Sequence, residues 1–132
     1  MQGLLAGKFA TADDVPKARA RTRHFSDKRP LTTHGQAGFE AETFAAIEKI
    51  QTISQQLSLP MAKVALAWLL HQPGVTSVIV GGRQPEQVRR NVEAVEVRFT
   101  AAEVSELEAA TAAIKQHFGA DPDMWQSASR YR

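Results

Sequence analysis

Cysteine is absent from the 132-residue sequence, which excludes disulfides, thiolate metal sites and cysteine nucleophiles and points to a reducing, cytoplasmic compartment. Tyrosine occurs once, as Tyr131, and aromatic residues make up only 7% of the chain. No apolar run approaches the roughly 20 consecutive residues that a membrane-spanning helix needs, so no membrane is expected as a partner. The amino-terminal stretch MQGLLAGKFA has too short an apolar run and no preceding positive flank, so no signal peptide is expected. His24, His34, His71 and His117 are scattered without the spacing of a metal site, and each reads as a surface or helix-end residue. No serine sits in a G-x-S-x-G turn, so a nucleophile elbow is excluded.

What remains is 43% apolar and 23% charged, the balance of a globular chain that can bury a core. The formal charge of +2 hides an asymmetry. Residues 1–36 hold seven lysines and arginines against three aspartates, a balance of +4 that leaves −2 for the other 96 residues. Such a basic stretch attracts phosphate or forms a solvated loop. Residues 17–29 have little aromatic interleaving and no nucleic-acid module signature, so nucleic acid is not expected as a partner.

Periodicity divides the chain into a loop-rich basic segment at 1–37, a helical part at 38–118 and an irregular tail at 119–132 in which Trp125 is an anchor, together one partial domain. Phe44, Ile47, Ile50, Ile53 and Leu57 form one stripe of a helix at about 39–57. Ser58 suits the N-cap of a second helix at about 60–71. Val75, Val78, Ile79 and Val80 predict a strand over 75–81 that is buried on both faces. Residues 3–6 are a poor second strand candidate. Pro85 opens a third helix, and Thr100 with Glu103 forms a capping box at the start of a fourth. A strand without neighbours leaves backbone groups orphaned. It therefore pairs with a copy of itself in an oligomer or belongs to a larger sheet.

The segment richest in chemistry runs from Ser77 to Asn91. A strand entering Gly81 and Gly82 and then a helix makes an anion site, because free N–H groups and the positive end of the helix dipole face the strand exit. Arg83 supplies a fork for phosphate. Gln87 and Asn91, one turn apart, present amides suited to a flat polar group such as a purine. A plain strand-to-helix turn with a solvated helix explains the same pattern.

The run SLPMAKVALAWLLHQPGVTSVIVGGRQPEQVRRNVEAV, with FTAAEVSELEAA after it and GLLAGKF at residues 3–9, closely resembles the carboxyl-terminal portion of the aldo-keto reductases. These are NADP(H)-dependent (β/α)8-barrel enzymes. The resemblance implies that Gly3, Leu4, Gly7 and Lys8 lie near the cofactor pyrophosphate, Gly81, Gly82 and Arg83 near the 2′-phosphate, and Gln87 and Asn91 toward the adenine. Two positions depart from the family pattern: Arg90 stands where an acidic residue is usual, and Gln84 where an N-cap is usual before Pro85. The family's aspartate, tyrosine, lysine and histidine tetrad comes from the first four strands, and Tyr131 matches none of its positions. The chain alone is therefore expected to be inactive, with no catalytic residue and no metal.

The expected architecture is mainly α with one or two short strands, the carboxyl-terminal part of a barrel. Its uncovered edges and apolar faces predict a homo-oligomer. The alternative to a nucleotide-binding role is a helical module for self-association or protein interaction.

Overall fold

The stripe that begins at Phe44 folds as α1, Glu40–Gln56, in the computed structural model, which describes residues 3–126. Ala46, Ile47, Ile50 and Ile53 are buried along it, and Ser54 accompanies them by donating its hydroxyl to the Ile50 carbonyl at 2.7 Å. Glu40 and Glu42 occupy its first turn, where the helix dipole favours negative charge. α2 spans Met61–Leu70 and buries Met61, Val64 and Ala67. α3 is Pro85–Val92 and α4 is Ala101–Phe118. α4 opens with the expected capping box: Thr100 N–H donates to Glu103 Oε2 at 2.7 Å, and Glu103 N–H donates to Thr100 Oγ1 at 3.3 Å. Short 3-10 turns at Leu4–Ala6, Ala12–Asp14 and Glu93–Glu96 complete the regular structure among the described residues.

The core forms where α1 packs on α4 and α2. Ile47, Ile50, Ile53, Met61, Val64 and Leu107 meet there, joined by Leu4, Val15, Ala20 and Phe25 from the amino-terminal segment. The segment is therefore a structured strap and not the solvated loop that its charge suggests. Arg23 is 6% exposed and donates to the carbonyls of Phe118 and Asp121 and to Gln36 Oε1, while its guanidinium lies 5.2 Å from the Phe118 ring centroid. Arg29 grips Glu40 with two bonds of 2.6 and 2.8 Å and reaches Asp13 at 2.8 Å. The Glu40 carboxyl is held below its ordinary pKa, first by that Arg29 bond and further by the Ser26 N–H. Gly38 sits at φ 83°, and a Cβ there would stand 2.4 Å from the Phe25 carbonyl carbon, so the strap crosses α1's entry with no space for a side chain.

Three expectations are corrected. Residues 75–81 form no strand; Ile79 is fully exposed, and Val75 and Val80 are exposed as well. A strand exists by its ladder, and no described segment lies alongside to supply one. Ser58 does not cap α2. It adopts φ 54° as the left-handed residue that ends α1, with Ser58 N–H donating to Gln55 O at 2.9 Å and Leu59 N–H donating to Ser54 O at 3.0 Å, the paired bonds of a Schellman motif. His24 and His34 are buried at 4% exposure each, His24 where the strap passes under the end of α4. The His24 ring meets Phe118 edge-on at 4.7 Å. Trp125 is half-buried, and its carbonyl accepts from Thr33 Oγ1 at 2.7 Å, so the tail does rest on the strap. Tyr131 and the rest of the tail beyond residue 126 lie outside the described residues.

Candidate functional site

The turn that feeds α3 is held by its own amides. Asn91 Nδ2 donates to the Gly81 carbonyl at 3.3 Å, and Gln87 Oε1 accepts from the Arg83 N–H at 2.8 Å. Gln84 at the N-cap position makes no side-chain cap, and the Gln87 bond reaches past it to Arg83, tying the incoming turn to the first turn of α3. Gly82 is required by packing: a Cβ would lie 2.8 Å from Val88 Cγ2, a branched and stiff side chain. On the other side, Gly3 at φ 95° and Gly7 at φ 66° bracket the Leu4–Ala6 turn.

These two turns share one cleft of about 960 Å³. Gly3, Ala6 and Lys8 line one wall, Gly81, Gly82 and Arg83 another, and Glu86, Gln87, Arg90 and Asn91 of α3 continue it. Pro60, Ala62 and Lys63 at the start of α2 and Ala18 and Arg19 of the strap close it. Of the residues singled out in the sequence, Gly3, Lys8, Gly81, Gly82, Arg83, Gln87 and Asn91 are thus brought together. Leu4 is a buried core residue, and Gly7 lies exposed outside the cleft beside Met61.

Charge decides what the cleft can hold. Lys63 is tied to Glu93, and Arg90 Nε to Glu86 Oε1 at 3.2 Å. Lys63 is the main reason why the Glu93 carboxyl lies below its ordinary pKa. Lys8, Arg19 and Arg83 have no carboxylate partner among the described residues. These three cations, without a carboxylate partner, give the opening a locally positive rim beside the paired Glu86 and Glu93. Arg19 and Lys63 carry no pattern that marks them in the sequence. The positive balance of residues 1–36 is the one signal that bears on Arg19. No group of three or more His, Asp or Glu side chains among the described residues is placed to hold a metal ion. No described helix is long and apolar enough to cross a membrane.

The described residues are mainly helical and bring a Gly-Gly-Arg turn and a GLLAGK turn together on one cleft with three cations that have no carboxylate partner. The chain belongs to the aldo/keto reductase family, whose family model matches residues 1–112. It is similar to an L-glyceraldehyde 3-phosphate reductase of Escherichia coli O157:H7, 29% identical over 97% of this chain and 34% of that protein. It is also similar to an NADH-specific methylglyoxal reductase of Escherichia coli, 31% identical over 79% of this chain and 29% of that protein. A putative voltage-gated potassium channel subunit beta of Schizosaccharomyces pombe is 31% identical over 71% of this chain and 26% of that protein. The chain spans between about a quarter and a third of the length of these relatives. Membership relates it to oxidoreductases that work with a nicotinamide cofactor.

Proposed function

We propose that this chain is the carboxyl-terminal, NADP(H)-binding part of a (β/α)8-barrel aldo-keto reductase. The observation that carries the reading is the convergence of two segments far apart in sequence, residues 3–8 and 81–91, on one cleft with three uncommitted cations. Their chemistry fits a dinucleotide phosphate. Lys8 and Arg19, beside Gly3, suit the pyrophosphate, while Arg83, with the open backbone of Gly81, suits a 2′-phosphate through a guanidinium fork. The adenine lies toward Gln87 and Asn91, which use one polar atom each on the turn and keep Nε2 and Oδ1 for a ligand.

The bound cofactor supplies or accepts hydride for a carbonyl substrate; the chain's own residues bind and orient its adenosine end. No residue of the chain takes the place of the family's tetrad, so the chain alone binds cofactor without reducing a carbonyl. One relative is named NADH-specific, so the preference between the two nicotinamide cofactors rests on local side chains, here Arg83. Titration with NADPH and NADH tests this. The parent chain is expected to bind NADPH about tenfold more tightly, a preference that Arg83→Ala removes. An equal response of parent and variant to NADPH would sink the Arg83 assignment.

A second reading rests on residues 76–80, which make no backbone hydrogen bond among the described residues and leave Ile79 fully exposed. Open backbone and apolar side chains together favour pairing with a second copy. On this reading the chain is a homo-oligomer in a reducing cytoplasm, and self-association is independent of nucleotide.

A further inference from the structure

α3 carries one charged pair whose position is out of proportion to its structural use. Glu86 and Arg90 stand one turn apart, both lining the cleft, with Arg90 Nε donating to Glu86 Oε1 at 3.2 Å. Their side chains are 69% and 54% exposed for Arg90 and Glu86, and Glu86 is shared with Arg89 at 3.5 Å. An exposed i, i+4 pair of this kind contributes little to the fold. Arg90 is no part of the core and its ion pair stays within α3, its charge reaching Glu93 only as a minor influence, in contrast to Lys63, whose bond to Glu93 ties α2 to the end of α3. The neighbours Gln87 and Asn91 each spend one amide atom on the turn and carry no charge. Arg90 is therefore the one cation on α3's cleft face that can be released at small cost, and it faces the same opening as Arg83.

We propose that Arg90, parked on Glu86 in the free chain, transfers to the ribose 2′-phosphate of the bound cofactor and, with Arg83, sets the preference for a phosphorylated over an unphosphorylated adenosine. The proposal rests on the cofactor reading above. A phosphate monoester near neutral pH carries more charge than a carboxylate and offers more acceptor oxygens, so it competes well for a guanidinium already within the cleft. Glu86 is the negative counterweight: left with only the longer, exposed Arg89 contact at 3.5 Å, it repels the same phosphate.

That counterweight dictates the design of the test, because Arg90→Ala alone would also unmask Glu86. Calorimetric titration with NADP⁺ and NAD⁺ compares the parent chain, Glu86→Gln, and Glu86→Gln with Arg90→Ala, each checked for helix content by circular dichroism. Glu86→Gln is expected to tighten NADP⁺ severalfold. Adding Arg90→Ala in that background is expected to weaken NADP⁺ about tenfold while leaving NAD⁺ within about twofold. Equal NADP⁺ affinity with and without Arg90 in the Glu86→Gln background overturns the Arg90 assignment while the cofactor reading stands. A parent chain that binds neither nucleotide overturns both.

Discussion

His24 shows how a buried side chain of the strap can govern the pH response of the chain. Its ring lies under Phe118 with Thr22 Oγ1 3.2 Å from Nδ1. Burial above all, with nearby positive charge including that of Arg23, pushes its pKa down to about 4. The unfolded histidine titrates near 6.5, so between these values the unfolded state binds more protons and stability falls as pH falls. Between pH 7 and pH 5 the loss is about 2 kcal/mol. Urea unfolding at the two pH values is expected to show this difference in the parent and a much smaller one in His24→Gln. An equal loss in both proteins would assign the pH response to other groups. Neither the burial of His24 nor that of Arg23 is legible from spacing. The Arg23 partners, Phe118 and Asp121, lie at the far end of the chain, so a run of cations that reads as solvated becomes half core and half clamp.

Elements whose signal is local were legible, and elements that depend on a neighbour were not. α1 and α4 follow from apolar recurrence and, for α4, from the Thr100 and Glu103 pair, because a helix satisfies its own backbone. Residues 75–81 are as β-branched as a central strand but have no ladder partner among the described residues, and composition cannot provide one. Ser58 misleads for a different reason: Ser before Leu-Pro fits an N-cap, yet the same residue closes the preceding helix in a left-handed conformation. A side chain there is strained, whereas glycine is not. Ser58→Gly is therefore expected to raise stability by about 0.5–1 kcal/mol, the relief of strain being partly offset by greater freedom of the unfolded chain. Denaturant midpoints measure it, and a lowered midpoint would contradict the Schellman assignment.

At the scale of the whole molecule, two sets of features are held by different means. The strap, α1 and α4 share a core locked by Arg29 on Glu40 and by Arg23 on the end of α4, whereas α3 and residues 75–83 stand exposed at one side. Self-association is expected to involve that exposed side. Light scattering at micromolar concentration should give a mass above one chain, reduced by Ile79→Lys; a monodisperse monomer of the parent would exclude it. The cleft joins the two sets, since Arg19 and Lys8 come from the anchored part and Arg83 from the exposed part. Gly81, Gly82 and Arg83 stand out in the sequence as a local pattern, a turn before a helix start, whereas Gly3 and Lys8 come forward only through the family resemblance. Arg19 does neither, because only the folded strap carries it to Gly3. The most direct test of the cleft as a cofactor-phosphate site is a two-dimensional NMR titration of the chain with adenosine 2′,5′-bisphosphate. Saturable shifts are expected at the backbone amides of Gly3–Lys8 and Gly81–Gln87, weakened by salt and lost in Arg83→Ala. Shifts that centre elsewhere, or that persist unchanged in the variant, would contradict it.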